Sequence, residues 1–223
     1  HFDAAGQPDR ALPYALAAGD EARRRHALEL AERQYRVAAR GAGDDAGARL
    51  QTAMGLGAVL LLQGRYDEAG DELNAALADA QDDATRAEIE RSLGDLSFKR
   101  GDVTRSAQHQ RQALRLMGRR TPRSTVVFLV LLSWEVLVQA LHTMRPARLG
   151  RRDATSPKGQ TNLAAARVYS DMAYSFWFGQ GRVPCAWSHL RGLNTAERYP
   201  PGPELAQAWS EHAPVMTMAP WYR

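Results

Sequence analysis

The chain has 223 residues, of which 44% are hydrophobic and 24% are charged, a composition that is typical of globular proteins and excludes a disordered chain. Its formal net charge of +4 is small for this length, so a dedicated nucleic-acid-binding protein is not expected. The single cysteine, Cys185, excludes an internal disulfide framework and indicates a reducing compartment, which predicts a cytoplasmic protein.

A first helix pair is predicted over residues 10–40, which begin "RALPYALAAGDEARRRHALELAERQY". Acidic side chains favour helix N-termini, so Asp20 and Glu21 are expected to open a helix. Small residues and one aromatic then follow at helical spacing, at Ala31, Tyr35 and Ala38.

Residues 48–82 and 85–118 contain an internal sequence repeat. The stretch "LGAVLLLQGRYDEAGDELNAAL", residues 56–77, returns 37 residues later as "LGDLSFKRGDVTRSAQHQRQAL". Self-similarity at this period is the signature of stacked helix pairs, and the small and apolar positions match the tetratricopeptide pattern. Gly57 and Gly94 are expected at close helix crossings, and Asp82 or Asp83 is expected to cap the next helix.

An irregular fourth unit is predicted over residues 121–160, with a long apolar helix from Thr125 to Met144 and a Pro-, Gly- and Arg-rich loop over 145–161. The helix is long enough to cross a bilayer. Glu135 lies in its middle, however, and a carboxylate at membrane depth is costly. A helix buried between neighbours in a soluble protein without membrane contact is therefore expected, with a membrane segment as the alternative. Glu135 should then find a polar partner or solvent, and burial is expected at Val126, Val130, Leu137 and Leu141.

A fifth copy is predicted over residues 162–200, followed by a final helix over 203–218. Gly181 marks its turn, and Ala186 and Leu190 continue the spacing of the second helix. The stretch "RYPPGPE", residues 198–204, must end one helix and start another. Aromatic residues concentrate in this part of the chain, at Tyr169, Tyr174, Phe176, Trp177, Phe178, Trp187, Tyr199, Trp209, Trp221 and Tyr222.

Together these elements predict an all-α fold of about ten helices, a tetratricopeptide-like right-handed superhelix that forms a single array over residues 1–223. An ordinary helical bundle is the alternative. Because the chain starts at His1 and Phe2 without an initiator Met, it is interpreted as a piece of a longer protein.

No catalytic set, cofactor site or metal site is predicted. The six histidines do not pair with Cys185 or with each other in a zinc motif. The stretch "SPKGQT", residues 156–161, lacks the glycines of a phosphate-binding loop and is interpreted as an ordinary loop. Cys185 is interpreted as a buried thiol, with a reactive thiol as the alternative. Arginines at 23–25, 119–120 and 145–152 are interpreted as solvated surface, with contact to a polyanion as the alternative.

The repeats predict an interaction surface, because the first helices of successive pairs line a concave face. Alternating charges beside an aromatic side chain suit a protein or peptide segment. The exposed positions expected on this face are Glu88, Arg91, Asp95, Phe98, Lys99, Asp171, Ser175 and Phe178. The alternative is a small-molecule pocket in the aromatic-rich part, formed by Tyr174, Trp177 and Trp187.

The stretch of residues 167–216, with "AERYPP" followed by "ELAQAWSEHAP", resembles the helical region of large bacterial signalling ATPases. In that family a STAND-type ATPase module precedes a tetratricopeptide-like array, often with a cyclase, kinase or helix-turn-helix regulator in the same polypeptide. The resemblance implies a non-catalytic sensor or scaffold in signal transduction. Its expected partner is a protein or peptide segment, which includes the ATPase module of the same polypeptide.

Overall fold

A computed structural model describes residues 2–216, and these contain ten α-helices, one 3₁₀ helix and no β-strand. The α-helices are α1 (Pro8–Arg24), α2 (Leu28–Gly41), α3 (Ala46–Leu62), α4 (Tyr66–Asp79), α5 (Asp83–Lys99), α6 (Val103–Leu116), α7 (Thr125–Met144), α8 (Pro157–Gly179), α9 (Arg182–Ala196) and α10 (Pro203–Met216). The 3₁₀ helix, Pro146–Arg148, follows α7. The predicted all-α class is therefore confirmed. Residues 217 and 218 of the predicted final helix, with Trp221 and Tyr222, lie outside the described residues.

The chain divides into two compact units, His1–Arg100 and Gly101–Arg223. The first contains α1 to α5, and the second contains α6 to α10. The division into a single array of repeats stays a prediction.

The helix lengths recur with the period of the sequence repeat. The helices α1, α3 and α5 each have 17 residues, and α2, α4 and α6 each have 14. From α1 to α3 the start moves by 38 residues, and from α3 to α5 by 37. Pairs of this length, joined by short turns and repeated at this spacing, define a tetratricopeptide-like fold.

The second helices bury the same three places, counted from their first residue. The fourth, eighth and eleventh residues of these helices are at most 1% exposed. They are Ala31, Tyr35 and Ala38 in α2, then Ala69, Leu73 and Ala76 in α4, then Ser106, Gln110 and Ala113 in α6. Helical geometry places these three residues on one face, so the packing of each pair requires them while the other positions vary.

Glycines permit the close approach of the paired helices in the first unit. A Cβ atom added at Gly57 would lie 3.0 Å from Leu73, and one added at Gly19 would lie 3.0 Å from the ring of Tyr35. Leu73 and Tyr35 are themselves one repeat apart, so the same contact occurs twice. The prediction for Gly57 is confirmed. Gly94 is buried, and its crossing stays a prediction.

The expectation that Asp20 and Glu21 open a helix is wrong, because both lie in the last two turns of α1. Pro8 starts that helix at a position where the missing N–H costs nothing. Asp20 instead accepts a hydrogen bond from the Tyr35 hydroxyl at 2.6 Å, which ties α1 to α2. By contrast, Asp82 caps α5 as predicted, with its carboxylate accepting from the Thr85 amide.

In the second unit α8 begins five residues before the predicted start of its repeat. The expectation that residues 156–161 form a loop is wrong, because Ser156 caps α8 and accepts a hydrogen bond from the Gly159 amide. Pro157 then occupies the first helical position, where proline is favoured. The predicted break around "RYPPGPE" is confirmed between α9 and α10.

In the pair formed by α8 and α9, the second helix also starts one residue early relative to its turn glycine. It starts directly after Gly181, whereas α4 and α6 start two residues after their turn glycines, Gly64 and Gly101. The fourth, eighth and eleventh places are therefore Cys185, His189 and Gly192, all buried. The predicted pair Ala186 and Leu190 is one residue late.

Candidate functional site

The predicted residues on α5 form one stripe in the first unit. Glu88 and Lys99 are exposed, and Arg91, Asp95 and Phe98 are half-buried. Steps of three or four residues along the helix place this set on one face. The opposite face packs in the core through Ile89, Leu93 and Leu96. The Lys99 ammonium nitrogen lies 4.0 Å from a carboxylate oxygen of Asp95. We call this set the α5 stripe. It combines both signs of charge with one aromatic ring, and its role in binding stays a prediction.

The predicted residues on α8 do not all reach the surface of the second unit. Phe178 is exposed and Asp171 is half-buried. The expectation that Ser175 is exposed is wrong, because it is 1% exposed and its hydroxyl lies 2.9 Å from that of Ser106 on α6. The packing of α6 against α8 covers this position.

The three residues of the predicted alternative pocket are not brought together. Tyr174 and Trp177 are exposed on α8, whereas Trp187 is buried in an aromatic cluster. Its ring centroid lies 5.3 Å from that of Phe128 and 5.7 Å from that of Tyr169, both in edge-to-face geometry. Trp187 therefore belongs mainly to the core between α7, α8 and α9.

A cavity does lie beside Trp187, but its other walls differ from the predicted ones. Its volume is about 520 Å³, which is in the range of small-molecule sites. It is lined by Met117, Gly118, Arg119, Arg120, Leu131, Trp134, Glu135, Tyr169, Trp187 and Arg191. Three guanidinium groups against one carboxylate make the cavity positive. The sequence indicated the arginines at 119 and 120, but nothing in it placed Arg191 beside them.

Glu135 has the polar partners that were predicted for it. Its carboxylate accepts hydrogen bonds from Arg191 at 2.7 Å and from the Asn194 side chain at 2.8 Å, both on α9. A second polar contact lies two turns further along α7, where Nδ1 of His142 is 2.7 Å from a carboxylate oxygen of Glu197. These contacts hold the polar side of α7 against α9.

The opposite side of α7 is uncovered, and the expectation that Val126, Val130, Leu137 and Leu141 are buried is wrong. Nine large apolar side chains of this helix are between 44% and 77% exposed: Val126, Val127, Leu129, Val130, Trp134, Val136, Leu137, Leu141 and Met144. We call this set the α7 apolar face. By length and composition α7 is the one helix in residues 2–216 that could cross a membrane. The sequence identified it as apolar, but its burial required covering neighbours, and residues 2–216 do not supply them.

Two reactive side-chain types on α9 are buried. Burial raises the pKa of the Cys185 thiol to about 11, so it is a packing residue as predicted. His189 is stacked on His212 of α10, with ring nitrogens 3.0 Å apart. Burial, with a smaller contribution from His212, lowers the pKa of His189 to about 4. Burial also lowers the pKa of His212, although Glu197 opposes this, so both stacked imidazoles favour their neutral forms. Within residues 2–216, no cluster of His, Cys, Asp and Glu has metal-binding geometry.

The fold and these surfaces define a tetratricopeptide-like array of helix pairs. No protein-family model matches the chain. No curated protein sequence matches it either. A crystal structure of MamA protein is similar to it, with a TM-score of 0.40 and 14% sequence identity over 84% of this chain and 93% of that one. A similarity of that extent says nothing about function, and the class of the fold is defined by the helix pairs themselves.

Proposed function

We propose that the chain is a non-catalytic scaffold that binds a protein or peptide segment. The observation that carries this proposal is the α5 stripe, a continuous helix face with mixed charge and one large aromatic side chain. In protein interfaces, charged residues at the rim chiefly set the association rate and selectivity, whereas a central aromatic residue contributes most to affinity. The repeats support the proposal, because the packing positions recur while the outward positions change.

The finer proposal concerns the partner and the setting. The resemblance to bacterial signalling ATPases supports an array that docks onto a STAND-type ATPase module and couples partner binding to its nucleotide state. Of the predicted α8 residues in the second unit, Asp171 and Phe178 stay candidate contacts of that unit, whereas the burial of Ser175 removes that residue. A cytoplasmic setting accords with this proposal.

The test is a double substitution on the α5 stripe, Arg91→Glu with Phe98→Ala. Calorimetry would measure binding of the purified chain to a STAND-type ATPase module. We expect a loss of affinity of at least about tenfold, since removal of a central aromatic side chain commonly costs more than 1 kcal/mol. The matched control is Arg33→Glu with Leu30→Ala, which changes an exposed charge and an exposed apolar residue on α2. Equal affinity of both folded double variants would contradict the α5 stripe as the site.

The second candidate function is a small-molecule receptor, and the positive cavity beside Trp187 favours it. Guanidinium groups and aromatic walls suit an organic anion with a flat ring. Thermal unfolding with millimolar benzoate would test this, with inorganic phosphate as a second probe. A rise in melting temperature that Arg120→Ala abolishes would favour the receptor. No shift with either probe would argue against it.

A further inference from the structure

The α7 apolar face is larger than the exposed patches of ordinary soluble proteins. About half of nine large apolar side chains amounts to on the order of 800 Å², whereas the largest patch on a soluble monomer is commonly a few hundred Å². The remaining outward residues of the helix are Thr125, Ser133, Ala140 and Thr143, so no charge interrupts the face over its 20 residues. At 1.5 Å per residue the face is about 30 Å long.

Basic residues concentrate at both ends of this face. Residues 119–158 contain eight basic and two acidic residues, a formal charge of +6, although the whole chain carries only +4. Exposed arginines precede the helix at Arg120 and Arg123 and follow it at Arg145, Arg151 and Arg152. Both acids are already engaged: Glu135 pairs with Arg191, and Asp153 accepts hydrogen bonds from Thr155. The surroundings of the face therefore attract an anionic partner.

Charge and breadth together select the kind of occupant. A second copy of the chain would bring arginines against arginines at both ends of the helix, in either a parallel or an antiparallel pair. A single partner helix covers a stripe of roughly 100° and leaves the rest of the face in water. A lipid phase covers every outward side chain at once, and its anionic headgroups pair with the arginines at both ends.

The buried side of α7 decides how the helix meets lipid. Glu135 is held by Arg191 and Asn194, and Glu197 is held by His142 and Gln139. Separating α7 from α9 would leave the buried Glu135 carboxylate without its cation, which is strongly unfavourable. The helix therefore stays on α9 and lies flat in the interface, and it does not cross the bilayer alone.

We propose that α7 is a membrane-surface helix that inserts its apolar face into a bilayer rich in anionic lipid. Exposed arginines at both of its ends contact the phosphate and carboxylate groups of the lipids. This proposal replaces the expectation of no membrane contact, and it does not depend on the α5 stripe.

The test is sedimentation of the purified chain with vesicles of phosphatidylcholine alone and with vesicles that contain about 30% phosphatidylserine. We expect binding to the anionic vesicles to be at least about tenfold stronger, and to weaken as salt is raised. The double variant Val130→Asp with Leu137→Asp should lose binding at least about tenfold, because it places two charges among acyl chains. Arg123→Glu with Arg145→Glu should remove the preference for anionic vesicles.

The matched control is Leu30→Asp with Leu62→Asp, which places two charges at exposed leucines of the first unit and should bind as wild type does. All variants change exposed residues, and circular dichroism would check their helical content. A blue shift of tryptophan fluorescence on anionic vesicles, lost in Trp134→Phe, would place the α7 apolar face at the lipid. Three results would overturn the proposal: no vesicle binding by a monomeric chain, equal binding to both vesicle types, or a dimer by light scattering that the α7 aspartate variant converts to monomer.

Discussion

At the residue scale, His26 shows how the repeat constrains the backbone. It ends α1 with φ of +57° at a place where the next pair has Gly64, one repeat later. The His26 amide donates to the Arg23 carbonyl and the Ala27 amide to that of Ala22. Gly64 and Arg65 repeat these two bonds at the end of α3. This is the Schellman cap, in which glycine is favoured because a Cβ atom strains the left-handed conformation.

We therefore expect His26→Gly to stabilise the protein by about 0.5–1 kcal/mol, because the strain of the left-handed residue exceeds the added flexibility of glycine in the unfolded chain. Urea unfolding would measure the change. Ala75→Gly, at an exposed interior position of α4, is the control and should destabilise by about 1 kcal/mol. A midpoint for His26→Gly at or below wild type would show that the cap is not strained.

His189 gives the second residue-scale prediction, which concerns pH. Its pKa is about 4 in the folded chain and about 6.5 when exposed to water, so the unfolded state binds more protons between these values. Stability should thus fall as pH drops from 7.5 to 5.0, by about 2 kcal/mol from this residue. Urea unfolding at both pH values, for wild type and His189→Gln, would measure this. The variant should lose less stability over this interval, and equal losses in the two proteins would contradict a neutral buried imidazole.

At the element scale, the crossing of α3 and α4 depends on the absence of a side chain at Gly57. We expect Gly57→Leu to destabilise by about 1–3 kcal/mol, because overpacking against Leu73 and the Ala69 carbonyl outweighs the better helix propensity of leucine. Chemical denaturation would measure the difference. Ala75→Leu adds the same bulk at an exposed position of α4 and should change stability by less than about 0.5 kcal/mol. Comparable losses in both variants would mean that the crossing has room for a side chain.

The helices also show why element boundaries were harder to predict than element types. Every predicted helix between residues 2 and 216 exists, but α1 and α8 begin earlier than their polar patterns suggested. In both cases a proline at the first helical turn starts the helix, and the later acidic or loop-like residues are simply part of it. Local propensity identifies a segment as helical, whereas its end is decided by which capping hydrogen bonds form.

At the scale of the whole molecule, the two proposed surfaces belong to different units. The α5 stripe lies on the first unit and the α7 apolar face on the second. The positive charge of the chain concentrates around α7, although the composition as a whole is nearly balanced. We expect the α5 double variant to bind vesicles as wild type does, and the α7 variants to bind a protein partner as wild type does, so failure of one proposal leaves the other open to test.

The sequence by itself determined the all-α class, the helix-pair period and the packing positions of the first three pairs. These are readable because each depends on residues a few positions apart, such as Ala31, Tyr35 and Ala38, that must share one helix face. Tertiary structure alone decided the burial of Ser175, the uncovered state of the α7 apolar face and the pairing of Glu135 with Arg191, which are 56 residues apart. An apolar helix is buried only if another element arrives to cover it, and a carboxylate finds its cation only when the chain has folded. The local spacing of residues therefore predicts neither the covering of the helix nor the pairing of the carboxylate.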